Sequence, residues 1–315
     1  MTAWAPRRGP RGVRHFLEID DLDREELEAV LTLAAESALP QVLEGRGVAL
    51  LFEHPSLRTR HATEVAVSEL GGHPVSAVGA EVGLGVREPA ADVARVLAGY
   101  HAVIGARVRR HGTLVEMAAA LDGAGQPVPV VNLLSDAGHP AQVLADLLVL
   151  RRHLGELAGR RLTYVGDANN VCRSLVLAGA LTGLQVTVAA PAGFGLSEEL
   201  VERAGQLGAA PVCLDDPHEA AAGADALYTD VWTSMGQEAE NARRRQAFAG
   251  FTLDGSVLAA AAPGAIVLHC LPAHRGEEIS EDVLEGTASV VFEQAALRRA
   301  AMVGLLAWLG GVEPR

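Results

Sequence analysis

The sequence predicts an α/β chain made of two doubly wound, parallel-sheet domains, and three observations carry that expectation. Its 315 residues suffice for two domains of ordinary size, and 49% hydrophobic with 21% charged residues are the proportions of a globular protein with a large core. Short continuous apolar runs, the mark of strands buried on both faces, alternate with helical patterns along most of the chain. A polar, glycine-containing stretch from Gly155 to Arg161 interrupts the alternation, which then starts again. The spacing therefore places one domain over 1–150 and a second over 151–292.

The elements follow in order. The first sixteen residues, MTAWAPRRGPRGVRHF, are rich in Arg and free of acids, and their prolines spoil an amphipathic targeting helix, so they read as a frayed basic tail. Asp20 to Ala38 places Leu22, Leu27, Val30, Leu31 and Leu33 on one helical face, with Asp20 and Asp21 as the cap region. Gly47 to Phe52 (GVALLF) is a buried strand, followed by a polar turn and a helical pattern through Leu70 that Gly71 and Gly72 stop. The unit recurs. Ala102 to Gly105 leads to Arg107, Val128 to Leu133 leads to SDAGHP and a helix over Ala141 to Leu154, and Leu162 to Val165 leads to GDANN and a helix ending near Gly183. Further strands are expected at Gln185 to Ala189, Ala226 to Thr229, Ala265 to His269 and Ser289 to Phe292, the last followed by a helix to Leu309.

Composition excludes several functions. All 26 basic residues are Arg, so a P-loop Lys and any mechanism resting on a Lys amine are absent. A net charge of −13 disfavours nucleic acid as a partner. Cys172, Cys213 and Cys270 are scattered, without the spacing of a disulfide framework or structural zinc site, which points to a reducing, cytoplasmic setting. The longest apolar stretch, near Val257 to Leu268, is broken by Pro263 and Gly264, so no membrane span is expected.

Chemistry in open parallel sheets is sought just beyond the carboxyl ends of strands. At FEHPSLRTR, Ser56 is a candidate helix cap, yet Arg58 and Arg60 fall in the first turn, where the helix dipole disfavours cations; a bound phosphate would compensate, and two solvated arginines are the plain alternative. Arg107 follows a strand, and His139 with Gln142 sits at the next strand-to-helix junction, able to serve a carbonyl oxygen and an amide-like group or simply to shape a turn. VGDANN keeps one glycine of the three that a dinucleotide pyrophosphate needs; its asparagines suit a zwitterionic amino acid, although Asn is common in turns. Asp230 ends a strand and could pair with an ammonium group, and Cys270 ends another, as an inert core thiol or a functional one. The His269, Cys270, His274 spacing is a poor metal site, because no acidic ligand lies between them.

Taken together, the stretches SLRTR, HPAQ, GDANNV, DVWTSMGQE, HCLPAHRGEE and VFEQAALR occur in the order seen in the aspartate/ornithine carbamoyltransferase family, which the chain resembles from about Phe16 onward. The resemblance implies a first domain binding carbamoyl phosphate, a second binding the amino acid, a C-terminal helix (293–310) returning to the first domain, and a homotrimer or multiple of trimers. It implies that Ser56, Leu57, Arg58 and Thr59 cradle phosphate, that Arg107 bridges phosphate and carbonyl oxygen, that His139 and Gln142 hold the carbamoyl group, and that Arg298 returns to it from the last helix. Cys270 and Leu271 would lie between the substrates, with Arg107, His139 and Cys270 as the catalytic set. Asn170, Asp230, Ser234 and Met235 would form the ornithine site. The implied reaction transfers the carbamoyl group to the δ-amine of L-ornithine, giving L-citrulline and phosphate without a metal or organic cofactor, in arginine biosynthesis.

Three departures stand out. Leu57 replaces the family's usual Thr, Glu81 aligns with a glutamine that relatives donate across a subunit interface, and the usual ENR near the final arginine reads ALR, so that Arg298 has lost an acidic neighbour. Arg87 is the only basic residue near Glu81. A catalytically weakened binding or regulatory relative and a dinucleotide-dependent oxidoreductase are the competing readings; Leu57 and Glu81 favour the former, and the missing glycines oppose the latter. With no lysine, the cationic work falls to Arg58, Arg60, Arg107 and Arg298.

Overall fold

Parallel strands alternate with helices from Gly47 to His269, as the apolar runs require. The computed structural model describes residues 4–9, 12–85, 87–233 and 240–314. The chain falls into two compact units, unit 1 comprising Met1–Ala145 with Arg298–Arg315, and unit 2 comprising Asp146–Leu297.

Unit 1 opens with a short antiparallel pair, β1 (Arg8–Gly9) and β2 (Gly12–Val13), then α1 (Arg24–Ala35), β3 (Gly47–Phe52) and α2 (Leu57–Glu69). It continues with β4 (His73–Val78), α3 (Ala90–Ala98), β5 (His101–Arg107), α4 (His111–Gly123), β6 (Val130–Leu134) and the start of α5 (Pro140–Leu154). Its four-stranded sheet runs β4-β3-β5-β6, every pair parallel. All six residues of GVALLF are buried because β3 is a central strand covered on both faces, whereas β4, at the edge, is half exposed. The edge location explains why HPVSAV carries no clear strand pattern.

Two expectations change here. The first long helix is opened by Asp23, whose carboxylate accepts from the Glu26 N–H while Glu26 reaches back to the Asp23 N–H. Asp20 and Asp21 belong instead to a preceding 3-10 turn over Ile19–Asp21. The basic tail is also docked rather than frayed among its described residues. Arg7 N donates to Leu309 O at 2.8 Å, its guanidinium lies 4.5 Å over the Trp308 ring, and Trp4 is buried. Cation–π stacking and apolar burial, invisible in the local sequence, outweigh the solvation of one arginine.

Unit 2 holds the end of α5, then β7 (Arg161–Val165), α6 (Asn170–Thr182), β8 (Gln185–Ala189), α7 (Glu198–Leu207), β9 (Val212–Leu214) and α8 (Pro217–Ala221). β10 (Ala226–Thr229), α9 (Asn241–Ala247), α10 (Gly255–Ala260), β11 (Ile266–His269), α11 (Glu281–Leu284) and α12 (Val291–Leu309) complete it, with residues of α12 from Arg298 onward belonging to unit 1. The five-stranded sheet runs β11-β10-β7-β8-β9, again with every pair parallel. The strand expected over Ser289 to Phe292 is absent: Ser289 makes one isolated bridge to Val267, and α12 has begun by Val291. An apolar run as short as Val290 to Phe292 does not distinguish a strand from the first turn of a buried helix.

Each sheet contains one place where the order of strands reverses. In unit 1 it lies between β3 and β5, and in unit 2 between β7 and β10. There the following connections leave in opposite directions and open a crevice beyond the strand ends.

Candidate active site

In unit 1 the crevice is built by the segment after β3 and the end of β5. The strand extends through Arg107, so this guanidinium starts from a rigid backbone and is itself buried. Its Nη1 donates to Ser56 Oγ at 3.2 Å. Ser56 occupies the N-cap position of α2, but its side chain makes no capping hydrogen bond, because the hydroxyl faces Arg107. The first-turn N–H groups are thus left uncapped by Ser56, as an anion-binding helix end requires. Leu57, the residue that departs from the family pattern, is 71% exposed, while its backbone keeps the helical position.

From α12, Arg298 donates through Nη2 to Thr59 Oγ1, with His139 Nε2 at 3.5 Å from the same nitrogen. His139 immediately precedes α5 and Gln142 lies in its first turn; both are buried. Burial holds the His139 imidazole well below its ordinary acidity range, and Arg298, Arg107 and Arg58 push it further in the same direction. His139 is therefore neutral at pH 7, with one N–H donor and one acceptor. Three guanidiniums thus surround a neutral imidazole, an arrangement whose chemistry suits a multiply charged anion. Arg60 does not join them. Its Nε donates to Glu64 Oε1 at 2.7 Å, four residues along α2, and Ser76 donates to the same carboxylate. The expectation of a fourth cation fails because this i,i+4 pair directs Arg60 along its own helix to Glu64.

In unit 2 the crevice lies between the segments after β7 and β10. Gly166 follows β7 at φ +136, a backbone that L side chains rarely adopt, and turns the chain sharply into Asp167 to Asn169. Asn169 caps α6, its Oδ1 accepting from Val171 N and Cys172 N, while its Nδ2 donates to Asp230 Oδ2 at 2.6 Å across the crevice. Asp230 is 6% exposed; its Oδ1 accepts from Val231 N at 2.8 Å and from Cys270 Sγ at 2.9 Å. Three strand ends thus converge on one buried carboxylate. Beneath it Tyr164 and Tyr228 stack, ring centroids 5.6 Å apart, both held protonated by burial.

Asn170, read from sequence as a substrate ligand, is the first residue of α6 and half buried. Asn169, its neighbour, is the residue that orients Asp230; the signal for it was its N-cap position after a strand. Ser234 and Met235 lie outside the described residues. Asp167 pairs with the buried Arg244, which also donates to Trp232 O at 2.8 Å, immediately before that segment. Glu81 is exposed, and its Oε2 accepts from Val78 N.

Asp230, His269 and Cys270 offer ligand atoms within 4.8 Å of one another. However, His269 uses both ring nitrogens, towards Leu271 N and Glu278, and the thiol donates to Asp230. The trio is a hydrogen-bonded cluster rather than a preformed metal site.

Residues 14–152 match the family model for the aspartate/ornithine carbamoyltransferase carbamoyl-P binding domain, and residues 158–309 match that for the Asp/Orn binding domain. The chain belongs to the aspartate/ornithine carbamoyltransferase family. It is 52% identical to an ornithine carbamoyltransferase of Acidothermus cellulolyticus over 308 residues, covering 94% of this chain and 96% of the relative. Among solved structures it is similar to ornithine carbamoyltransferase from Pyrococcus furiosus, with a TM-score of 0.89 and 38% identity, covering 98% and 100% of the two chains. The enzyme from Thermus thermophilus gives a TM-score of 0.84 at 43% identity, over 94% and 98%. The carbamoyl-P binding region of this carbamoyltransferase contains Ser56, Arg107, His139 and Gln142, and its Asp/Orn binding region contains Asn170, Asp230, Cys270 and Arg298.

Proposed function

We propose that the chain transfers the carbamoyl group of carbamoyl phosphate to the δ-amine of L-ornithine, releasing L-citrulline and phosphate, in the service of arginine biosynthesis. The observation that carries this reading is the opposite character of the two crevices. One gathers Arg58, Arg107 and Arg298 around a neutral His139, and the other centres on the buried carboxylate of Asp230. The first suits a phosphate-bearing donor, the second an acceptor that carries an ammonium group.

Ser56, the backbone of Leu57, Arg58 and Thr59 hold the phosphate in this reading, and Arg107 spans phosphate and carbonyl oxygen. His139 donates its single N–H to the carbamoyl group and Gln142 supports the amide. Arginine donors fixed by neighbouring elements oppose the charge that builds on oxygen in the tetrahedral intermediate and on the departing phosphate. On the acceptor side, Asn170 and Asp230 hold ornithine, together with Ser234 and Met235. An alkyl ammonium has a pKa of about 10.4, so attack requires loss of a proton; Asp230, Cys270 and the departing phosphate are the groups to take it. Cys270 and Leu271 are the unit 2 residues that the family resemblance assigns to the carbamoyl group.

A homotrimer or a multiple of trimers is part of the same proposal, supported by the large apolar side chains that Val65, Val75, Val96 and Tyr100 of unit 1 expose. A cytoplasmic location is supported by three free cysteines. No described helix is long and apolar enough to cross a membrane.

The decisive assay is citrulline formation from carbamoyl phosphate and ornithine, with putrescine, aspartate and N-acetylornithine as competing acceptors. Arg107→Gln is expected to lower kcat by at least about 100-fold, and Asp230→Asn mainly to raise the ornithine KM. Turnover with none of the acceptors, or the reverse pattern for the two variants, would overturn the assignment.

A further inference from the structure

Cys270 and Leu271 follow β11 directly, and the backbone there is unusual. Leu271 has φ +58, the left-handed region that residues other than Gly and Asn seldom occupy. One side chain accounts for it. His269, fully buried at the end of β11, accepts from Leu271 N through Nδ1 at 2.8 Å. This bond leaves the ring proton on Nε2, which donates to Glu278 Oε1 at 3.0 Å. Glu278 is fully buried as well and also accepts from His274 N, so it ties both ends of the turn after β11.

The main chain of His269 is fixed from the opposite side. Its N–H donates to Gln294 Oε1 at 2.9 Å, and Gln294 in turn donates through Nε2 to Asp146 Oδ1 at 2.7 Å and to Tyr228 Oη at 3.2 Å. The Tyr228 hydroxyl completes the ring by donating to Asp146 Oδ2. Every one of these groups is buried. Apart from Glu278 Oε2, which has only His274 Nδ1 at 3.9 Å, the side-chain atoms named here are all paired, and a buried network so connected favours one arrangement, which makes it suited to fixing a geometry.

We infer that His269, oriented by Glu278 and Gln294, is a positioning residue: its Nδ1 holds Leu271 N in the left-handed turn and so aims the Cys270 thiol at Asp230. The inference rests on the proposed carbamoyl transfer only in that Cys270 and Leu271 then border the reacting groups. The imidazole acts as a hydrogen-bond strut; it touches no substrate and exchanges no proton. A displacement of about 1 Å at a reacting group lowers turnover by up to about 100-fold, which sets the scale of the effect.

Asparagine and glutamine separate the two functions of the ring. In His269→Asn the amide oxygen stands near the former Nδ1 and accepts from the N–H two residues on, as in an Asx turn. In His269→Gln the longer amide reaches Glu278 and leaves Leu271 N without its acceptor. The expected result is kcat within about fivefold of wild type for Asn and a loss of about 30-fold or more for Gln, with KM for carbamoyl phosphate changed less than about twofold in both. In a Cys213→Ser background, alkylation of Cys270 by iodoacetamide should quicken severalfold in His269→Gln and stay near the parent rate in His269→Asn. Equal kcat and equal alkylation for the two variants, or losses that merely follow thermal midpoint, would overturn the inference. If neither variant folds, Glu278→Gln decides: kcat lowered about threefold to tenfold with both KM values kept supports the strut, and wild-type kcat and alkylation refute it. The alkylation measurement needs no turnover, so absence of citrulline formation in the wild type would sink the functional reading and leave this one to be judged separately.

Discussion

Replacing Arg244 by Met tests how unit 2 holds the backbone beside the crevice that contains Asp230. Arg244 Nη1 donates to Asp167 Oδ2 at 2.7 Å and to Trp232 O at 2.8 Å, its Nε donates to Glu240 Oε2 at 3.1 Å, and the guanidinium lies 5.1 Å over the Phe194 ring. The two charged side chains of the central pair are 8% and 13% exposed, so solvent screening is weak and the interaction counts as buried. Removing one partner of such a pair costs about 3–5 kcal/mol, mostly because the other charge is stranded. For a unit of this size each kcal/mol lowers the thermal midpoint by about 2–4 °C, giving an expected drop of about 6–20 °C for Arg244→Met. Adding Asp167→Asn removes the stranded charge, and the double variant should recover about 1–3 kcal/mol of the loss.

The pH dependence supplies a second sign to check. Burial already holds the Asp167 carboxyl above its ordinary value, with Arg244 pulling the other way. Without Arg244 it rises further, and a carboxyl raised in the fold is destabilising above that raised value and is relieved by protonation. The deficit of Arg244→Met relative to wild type should therefore shrink between pH 7 and about pH 5. Circular-dichroism melts across that range measure both effects. A drop below about 1 kcal/mol at pH 7, or a double variant less stable than the single, would refute the stranded-charge argument.

Two further outcomes are expected. His139 has a folded-state affinity for protons below that of the unfolded chain, so it contributes stability above about pH 6.5 that is lost as the pH falls; urea midpoints of wild type should drop more steeply from pH 7.5 to 5 than those of His139→Gln, and parallel slopes would contradict the buried, arginine-surrounded imidazole. In α12, a Cβ at Gly304 would stand 2.6 Å from both Ala34 N and Val30 O of α1, so Gly304→Ala should lose about 1–3 kcal/mol by overpacking instead of gaining the roughly 1 kcal/mol of an ordinary helical Gly→Ala change, as read by chemical denaturation.

Much of the strand framework was legible from period alone. Gly47–Phe52 and Gln185–Ala189 occupy the spans that their apolar runs suggested, because central parallel strands must be apolar on both faces. The edge strands β4 and β9 were not legible, since their exposed residues lack that constraint, whereas β6 and β11, also at sheet edges, are largely buried and apolar. Ser289 to Phe292 misled for the converse reason: apolar residues at the start of a buried helix imitate a short strand. At the candidate site, Arg107, His139, Asp230 and Cys270 could be singled out by position after strands, and Asn169 as a helix cap, but the groups that Asn169 and Glu278 orient could not. Both act through partners remote in sequence or hidden in a turn, and a single sequence carries no record of such pairs.

The sequence by itself determined the alternation of strands and helices, the all-arginine cation set and the family motifs, because these depend on residue type and spacing. Tertiary structure decided which cations gather in the crevice around His139 and how the Asp230 carboxylate is held. Arg60 was removed from the first by Glu64 on its own helix, and Arg298 was brought to Thr59 by the C-terminal helix. Asp230 acquired Asn169 and Cys270 from two other strand ends. The physical reason is the same in each case: a side chain's charge and hydrogen-bonding capacity are written in its residue type, but the partner that consumes or directs them is chosen by the reversal of strand order that gathers distant chain segments at one end of a sheet.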